Sequence, residues 1–299
     1  MANTTNINAP LNEYVNVHRD ELIVKASATF ATLPYIDKML GVKYQDVVPM
    51  LQSSVVLKDG SACGWDPDGA DTISPIVIKD FPVVVQKSFC GKDFRKSFAN
   101  YELNWKAGGV EVPFAEAFIN SNLQAISDEL EKLVWKGNVS IGIDGFLKQL
   151  DTTKKTFTGT TATQRIDEVV KGLTDRMLKK GVNIFVSPAL FREYIAEQNA
   201  ECCSAKGIID AAVATLSYVG DSRVKIIPVS GLIDASKVQV VAATPDALVY
   251  ATDIENSENE FRWFRDEKEG TENLEVLFLA GTAVRYADEA QLYVSAQLT

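Results

Sequence analysis

The longest regular pattern of apolar residues in the chain lies near its middle, over residues 113–136. The spacings between its apolar positions are four, three, four and three, at Ile119, Leu123, Ile126, Leu130 and Leu133. This period places them on one face of an amphipathic helix. Pro113 suits the first helical turn, and Gly137 follows the last residue as a stop signal. Such a helix of 24 residues would be about 36 Å long at about 1.5 Å per residue.

The opposite side of this helix is polar, and we predict that it faces solvent. It carries Glu116, Asn120, Gln124, Asp128, Glu131 and Lys132. A long helix with one apolar face is typical of a rod that lies across a sheet.

Residues 47–101 carry strand and turn signals. Apolar runs such as VVPMLQSSVVL and PIVIKDFPVVV flank a loop that contains the Asp59–Gly60 turn signal. Pro75 and Pro82 favour edge strands over the interior of a sheet. We predict a protruding β-hairpin, which is marginally stable in water unless it packs on something outside its own domain.

Helix and strand patterns alternate over residues 145–250. Two amphipathic helical segments, at residues 163–181 and 187–198, surround the apolar strand VNIFVS. The runs RVKIIPVS and KVQVVAAT predict further strands, so this segment indicates a compact α/β unit. The remaining residues, 251–299, predict strands that fold back toward the long helix.

The first 28 or so residues are polar, Asn-rich and weakly patterned. They are typical of an extended arm that becomes ordered only against another surface. They lack the basic and apolar regions of a signal peptide. No run of the chain approaches the roughly 18 apolar residues of a membrane span. We therefore expect no membrane association and a protein that is made and kept in the cytosol.

Composition indicates a folded chain with a substantial core, because 46% of the 299 residues are hydrophobic and 23% are charged. The four cysteines form no CxxC pair. Adjacent Cys202 and Cys203 could be a redox pair, although two small buried residues explain them more simply. The net charge of -10 disfavours tight nucleic-acid binding, which needs a basic face. This charge is compatible with loose enclosure of nucleic acid, and equally with a protein that has no contact with nucleic acid.

The candidate catalytic and metal-binding motifs each lack a residue that their chemistry requires. His18 is the only histidine, which excludes paired-histidine metal sites and a histidine base placed after a nucleophile. GDSR at residues 220–223 is better explained as a turn. DPDGAD at residues 66–71 begins like a calcium loop, but Asp71 stands where that loop needs glycine. We predict no catalytic residue, cofactor or metal, and therefore no enzyme.

The predicted order is arm, β-hairpin, long helix, α/β unit and returning strands. This order resembles the major capsid proteins of tailed bacteriophages, whose Hong Kong 97-like fold is shared with encapsulins. The stretches that carry the likeness are ELEKLVWKGN (129–138), GIDGFL (142–147), KKGVNIFVSPALFREYIAE (179–197) and the strands within residues 224–254. The resemblance covers roughly residues 20–295 and rests on element order.

The resemblance implies an α+β fold with four parts. These are an N-terminal arm (1–45), an extended β-hairpin loop (46–100), a peripheral domain with the long helix as its spine (101–144 plus 251–299) and an axial domain (145–250). It also implies hexamers and pentamers of this chain that form an icosahedral shell around double-stranded DNA, assembled in the host cytoplasm and found in the virion. Portal, scaffolding or decoration proteins would be further partners.

Two alternatives remain open. An encapsulin-type shell around a cargo protein has the same fold. A cytosolic α/β hydrolase belongs to another class, and it is weakened by the missing base and nucleophile motifs.

The charge distribution supports assembly independently of the resemblance. Residues 79–106 contain six bases and three acids, a balance of +3, whereas residues 253–289 contain four bases and eleven acids, a balance of -7. A basic hairpin that reaches over an acidic neighbouring copy would gain electrostatic steering and register. The predicted subunit-interface residues are Lys87, Lys92, Arg95, Lys96, Glu258, Glu260, Glu267 and Glu269. Two solvated faces of an ordinary protein would explain the same charges.

Overall fold

The structure is a computed structural model of the chain. It describes residues 8–42, 45–55, 69–90, 114–200, 209–210, 215–218, 220–234, 237–253, 260–266 and 268–295.

The described residues form helices and strands in an α+β order. The helices are α1 (Asn8–Val17), α2 (Arg19–Ala28), α3 (Phe114–Lys136), α4 (Phe146–Gln149), α5 (Ala162–Lys171), α6 (Asp175–Lys180) and α7 (Pro188–Ala200). The strands are β1 (Asp37–Leu40), β2 (Gln45–Val55), β3 (Gly69–Cys90), β4 (Lys155–Thr156), β5 (Val182–Val186), β6 (Ile209–Asp210), β7 (Thr215–Tyr218), β8 (Asp221–Pro228), β9 (Gln239–Ala243), β10 (Leu248–Thr252), β11 (Glu260–Asp266), β12 (Thr271–Val284) and β13 (Ala290–Val294).

One sheet has six strands in the order β1-β10-β12-β3-β2, with β11 also paired to β12. Its strand pairs are antiparallel except for β1 with β10. The 14-residue strand β12 pairs with β3, β10 and β11, and therefore organises the sheet. Along β12 the alternation of half-buried and buried residues shows that one face of the sheet is packed on the core.

The long helix α3 lies on the packed face of this sheet, as the sequence predicted. Its apolar positions Ile119, Leu123, Ile126 and Leu130 are buried in the main hydrophobic core. The helix ends at Lys136, where Gly137 takes a positive φ of 75°. The buried face is wider than the predicted stripe, because Glu131 on the supposedly solvated side is only 2% exposed. That part of the prediction is wrong.

The N-terminal segment differs from the expected extended arm. Residues 8–28 form α1 and α2, which bury Leu11, Val15, Leu22 and Ile23 in the same core as the six-stranded sheet and α3. The expectation that this segment orders only against another surface is therefore wrong for residues 8–28. Each helix is only ten residues long, so local propensity does not stabilise it alone, and packing on the core supplies the stability.

The second sheet has seven strands in the order β4-β13-β9-β5-β8-β7-β6. One face contributes Phe185, Ile227 and Val241 to the main core. The other face contributes Ile184, Val240 and residues of similar character to a separate core that includes α5–α7. Since both faces are covered, β5 and β9 are buried at every position.

The 22-residue strand β3 pairs with a different strand along each half of its length. Its first half pairs with β2, from Val55↔Gly69 to Gln45↔Lys79, and forms a hairpin. Its second half pairs with β12, from Gly281↔Asp80 to Thr271↔Cys90, and forms part of the six-stranded sheet. The described hairpin therefore ends at residue 79, whereas the predicted extended loop continues to residue 100.

Candidate assembly surfaces

The β2–β3 hairpin presents an apolar face to solvent. Val47 and Val77 are partners in the register, and their exposed fractions are 50% and 46%. Ile73, two pairs further along the same face, is 68% exposed. No other described part of the chain covers these three side chains. The alternation in ISPIVIK carries the signal for this face, because every second residue of a strand points to the same side.

A groove runs beside α3 on the packed side of the six-stranded sheet. It is a cavity of about 270 Å³ whose lining is mainly apolar. Its floor and walls include Val83, Val85, Ile126, Leu133 and Phe278. Glu129, Lys132 and Lys136 lie at the same groove, so charged groups surround an apolar interior. This combination is typical of surfaces that bind another protein segment.

The hairpin joins the sheet at residues 79–81. Asp80 lies here with an exposed fraction of 3%, and Asp253 after β10 is fully buried. Burial raises the pKa of the Asp80 carboxyl, its own backbone amide opposes the rise, and the negative charge of Asp253 adds to it. On the other side of the joint, a cleft of about 410 Å³ is lined by Lys79, Phe81 and residues of β12 and the turn after α3.

Glycines make the tight turn after α3 possible. Asn138 and Ile143 form a β-bridge across it, and Gly137 and Gly142 have positive φ angles of 75° and 91°. A Cβ on Gly145 would lie 2.2 Å from the Gly137 nitrogen. The two sides of the turn can therefore come this close only because Gly145 has no side chain. This turn fixes the direction in which the chain passes from α3 to α4.

A buried polar network ties the end of α3 to the N-terminal segment. The Thr32 amide donates to Glu131 Oε2 at 3.1 Å, and the Thr32 hydroxyl hydrogen-bonds Glu131 Oε1. Trp135 Nε1 donates to Thr32 Oγ1 at 2.8 Å and to Glu131 Oε1 at 3.1 Å. Burial raises the pKa of Glu131 even though these hydrogen bonds favour its ionised form.

Of the predicted interface residues, Lys87 lies in the six-stranded sheet and not in the hairpin. Its Nζ donates to Asn122 Oδ1 of α3 at 3.0 Å. Lys87 is paired in register with Leu274 of β12 in the same chain. The basic segment 79–106 is thus divided, with residues 80–90 held in the sheet of their own chain.

Glu260 and Glu269 lie at the β11–β12 end of the sheet. Glu260 forms an ion pair of 3.5 Å with Arg262, and Glu269 is exposed in the turn between the two strands. Arg262 also binds Glu275, whose other oxygen accepts from Gln86 at 2.6 Å. The Gln86 hydrogen bond and the Arg262 guanidinium lower the pKa of Glu275. Part of the acidic charge is therefore balanced within the chain.

The remaining predicted interface residues lie outside the described residues. They are Lys92, Arg95, Lys96, Glu258 and Glu267. Within the described ranges, the acidic, histidine and cysteine side chains form no group of three that could hold a metal ion. None of the helices described is long and apolar enough to cross a membrane.

Comparison with known proteins gives matches only at the level of structure. No family model matches the sequence, and no curated protein matches it. A structure from Gordonia phage Cozz is similar with a TM-score of 0.59 and 11% identity, over 89% of this chain and 87% of that chain. A chain from the satellite phage P4 procapsid, a structure that includes the size determination (Sid) protein, has a TM-score of 0.57 and 8% identity, over 99% and 100% of the two chains.

A third similar structure is the capsid of an empty GTA particle, with a TM-score of 0.53 and 12% identity over 89% of each chain. These matches span nearly the whole chain at very low identity. They confirm the predicted fold class, an α+β Hong Kong 97-like fold with a long helix beneath one sheet, a projecting hairpin and a second α/β unit.

Proposed function

We propose that this chain, which has the fold of tailed-phage capsid proteins, is a major capsid protein that self-assembles into an icosahedral shell around double-stranded DNA. The observation that carries the proposal is the β2–β3 hairpin. It projects from the sheet and exposes Val47, Ile73 and Val77 on one face. A face of this kind gains free energy only when a second molecule covers it.

The free energy available from this face sets how the shell must be held together. Full burial of a Val or Ile side chain contributes about 1.5–3 kcal/mol. Because the three side chains are roughly half exposed, covering them contributes about 3 kcal/mol in total. Association of two proteins costs about 4–15 kcal/mol in lost freedom. One docked hairpin therefore does not hold two copies together, and several contacts per copy must act at once, as they do in a closed symmetric assembly.

The groove beside α3 is the surface that fits the hairpin of the next copy. Its interior is apolar, as is the hairpin face, and Glu129 lies among the lysines at its rim. Basic residues after the hairpin, Lys92, Arg95 and Lys96, would steer the approach toward the acidic segment 253–289 of the neighbour.

The first experiment measures the assembly state. The purified chain is passed through size exclusion with light scattering and imaged by electron microscopy. We expect rings, sheets or particles far above the 32.8 kDa of one chain. A protein that stays at 32.8 kDa across salt and concentration contradicts the proposal.

A matched pair of variants tests the hairpin. Val77→Glu places a charge on the exposed hairpin face, and we expect it to prevent assembly. Val84→Glu is the control, because Val84 lies on the same strand with an exposed fraction of 52% but outside the hairpin. Assembly of Val77→Glu at the wild-type level would show that the exposed hairpin face is not needed for assembly. Loss of assembly in both variants would show that the hairpin is not the specific contact.

The steering residues need a separate test. The triple change of Lys92, Arg95 and Lys96 to Glu should slow or block assembly, most strongly at low salt. Lys87 is left unchanged, because replacing it would break its hydrogen bond to Asn122. If the triple variant forms particles at the wild-type rate, these three basic residues do not steer assembly.

The contents of the particles distinguish a phage capsid from an encapsulin-type shell. Because each chain has a net charge of -10, it neutralises few phosphates, and enclosed DNA would remain mobile. Particles isolated from virions should protect double-stranded DNA from nuclease. Particles that instead hold one cargo protein and no DNA would favour the encapsulin alternative.

The remaining parts of the proposal follow from the shell role. The chain acts without catalysis, is found in the virion capsid and assembles in the host cytoplasm. Hexamers and pentamers would be its building units, with portal, scaffolding or decoration proteins as further partners. The α/β-hydrolase alternative loses support, because the described sheets are mainly antiparallel and hydrolases need a largely parallel sheet.

A further inference from the structure

The joint between the hairpin and the six-stranded sheet is a single point on β3. The last pair with β2 is Gln45↔Lys79, and the next residue begins the pairing with β12 as Gly281↔Asp80. The glycine opposite Asp80 is required, because a Cβ on Gly281 would lie 2.3 Å from the carbonyl oxygen of Lys79. The two halves of β3 thus meet where the backbone of β3 lies directly against Gly281 of β12, with no side chain between them.

The side chain at this joint is a buried carboxyl group without the partners that such a group normally has. Asp80 is only 3% exposed, and no other described residue donates a hydrogen bond to its carboxylate oxygens. The small cluster on this face is apolar and consists of Val42, Ile78, Val249, Ala251 and Ala283. An ionised carboxylate in such a place is strongly destabilised unless water solvates it or a proton neutralises it.

The other face of the joint is loosely packed. The cleft of about 410 Å³ lies against Lys79 and Phe81, the residues on either side of Asp80. Its far wall is Gly142, Asp144 and the end of β12. A rotation of the hairpin about residues 79–81 therefore has empty space to move into, and the same rotation would bring water to Asp80.

We propose that Asp80 makes this joint a proton-controlled hinge. With a neutral Asp80 the hairpin stays packed as seen here, and with an ionised Asp80 the joint opens so that water reaches the carboxylate. The device concerns the single chain and does not rest on the proposed function, although it would set the angle at which the hairpin meets a partner.

The direction of the pH effect follows from the charges around the joint. Asp253 after β10 adds repulsion, and Asp46 on β2 is the nearest acid on the partner strand but is exposed. From β12 the facing residue is Gly281, which has no charge, and Lys79 points to the opposite face. Burial raises the pKa of Asp80 in the packed form, its own backbone amide opposes this rise, and Asp253 adds to it. When water solvates the carboxyl group, its pKa returns toward the ordinary value of an aspartate.

The packed form therefore binds the proton more tightly than the open form. Lowering the pH through the raised pKa toward the ordinary pKa of an aspartate strengthens the packed form, and raising the pH weakens it. One linked proton changes the ratio of packed to open forms by at most about tenfold per pH unit.

Hydrogen exchange at the joint tests the hinge. Protection factors, which are exchange rates corrected for the intrinsic effect of pH, are measured for amides of residues 78–82 and 279–283 between pH 4.5 and 8. We expect wild-type protection to fall by up to about tenfold per pH unit as the pH rises through the window. Asp80→Asn, which imitates the neutral acid, should keep the acid-level protection at every pH.

The control is Asp128→Asn, which removes the same charge from an exposed position on α3 and should follow the wild type. All proteins are compared in the same size-exclusion fraction, whether subunit or particle, so that failure to assemble does not affect the result. Protection that is independent of pH in the wild type overturns the hinge. So does an Asp80→Asn variant whose protection falls with pH as steeply as that of the wild type.

Discussion

Trp135 is the residue whose loss should most disturb the connection between the two sheets. It is fully buried near the end of α3, with its ring 5.1 Å from Phe185 of the seven-stranded sheet and 5.5 Å from Phe146 of α4. A Cβ on Gly231 would lie 2.3 Å from its ring, so the indole fills its site completely. Its Nε1 also donates to Thr32 and Glu131.

The expected cost of Trp135→Ala can be estimated from these contacts. Truncation of a buried aromatic residue to alanine costs about 3–5 kcal/mol. The value should lie at the upper end, about 5 kcal/mol, because the indole also supplies hydrogen bonds to buried oxygens. Trp135→Phe keeps most of the packing and loses the donor, so we expect about 1–3 kcal/mol. Domains are stable by only about 5–15 kcal/mol, so the alanine variant loses a large share of its stability.

The assay is equilibrium urea unfolding of the unassembled subunit, followed by far-ultraviolet circular dichroism. Val139→Ala is the control, since Val139 is 87% exposed in the turn after α3 and should change stability by less than about 0.5 kcal/mol. A loss below about 1 kcal/mol for Trp135→Ala would show that the contacts at this residue do not hold the sheets together. Equal losses for the alanine and phenylalanine variants would assign the effect to hydrogen bonding instead of packing.

Three further predictions concern a closely packed glycine and two hydrogen-bonded carboxyl groups. Gly145→Ala should prevent folding to a soluble chain, because its Cβ would lie within 2.5 Å of three backbone atoms; expression of soluble protein at the wild-type level contradicts this. The pKa of Glu131 is raised by burial in the folded state, so its contribution to stability increases as the pH falls from neutral through that raised value; Glu131→Gln should remove this part of the pH slope, and an unchanged slope refutes it. Glu197 accepts the first two amide protons of α5 at 3.0 and 2.7 Å. Burial opposes ionisation of Glu197, but these bonds lower its pKa, so its stabilisation is present above the unfolded pKa and is lost as the pH falls through the folded one. Glu197→Ala should cost about 1–2 kcal/mol at pH 7 and less at acid pH, and a cost that does not depend on pH would contradict the assignment.

Local patterns in the sequence were sufficient for the elements that carry the fold. The period of Ile119, Leu123, Ile126 and Leu130 predicted α3, and Gly137 predicted its end, because a helix depends on neighbours three and four residues apart. The apolar runs on either side of the Asp59–Gly60 turn signal predicted a hairpin for a similar reason. The order of these elements led to the capsid fold, which the structural comparisons confirm.

Long-range partners decided what the local patterns could not. The run of residues 69–90 reads as one strand, and only the sheet shows that it changes partner between Lys79 and Asp80. For the same reason Lys87 belongs to the sheet of its own chain, although its sequence neighbours predicted a place in the hairpin. Glu131 looked like a solvated residue until Thr32, 99 residues earlier, covered it.

The sequence by itself determined which segments form helices and strands, and in which order, because those preferences come from side chains that are close along the chain. Only the tertiary structure decided that residues 8–28 fold as helices on the core, that the hairpin exposes an apolar face and that Asp80 is buried at its base. These features depend on which surfaces meet in space. Burial and pairing are decided between residues far apart in the chain, where no local period gives a signal.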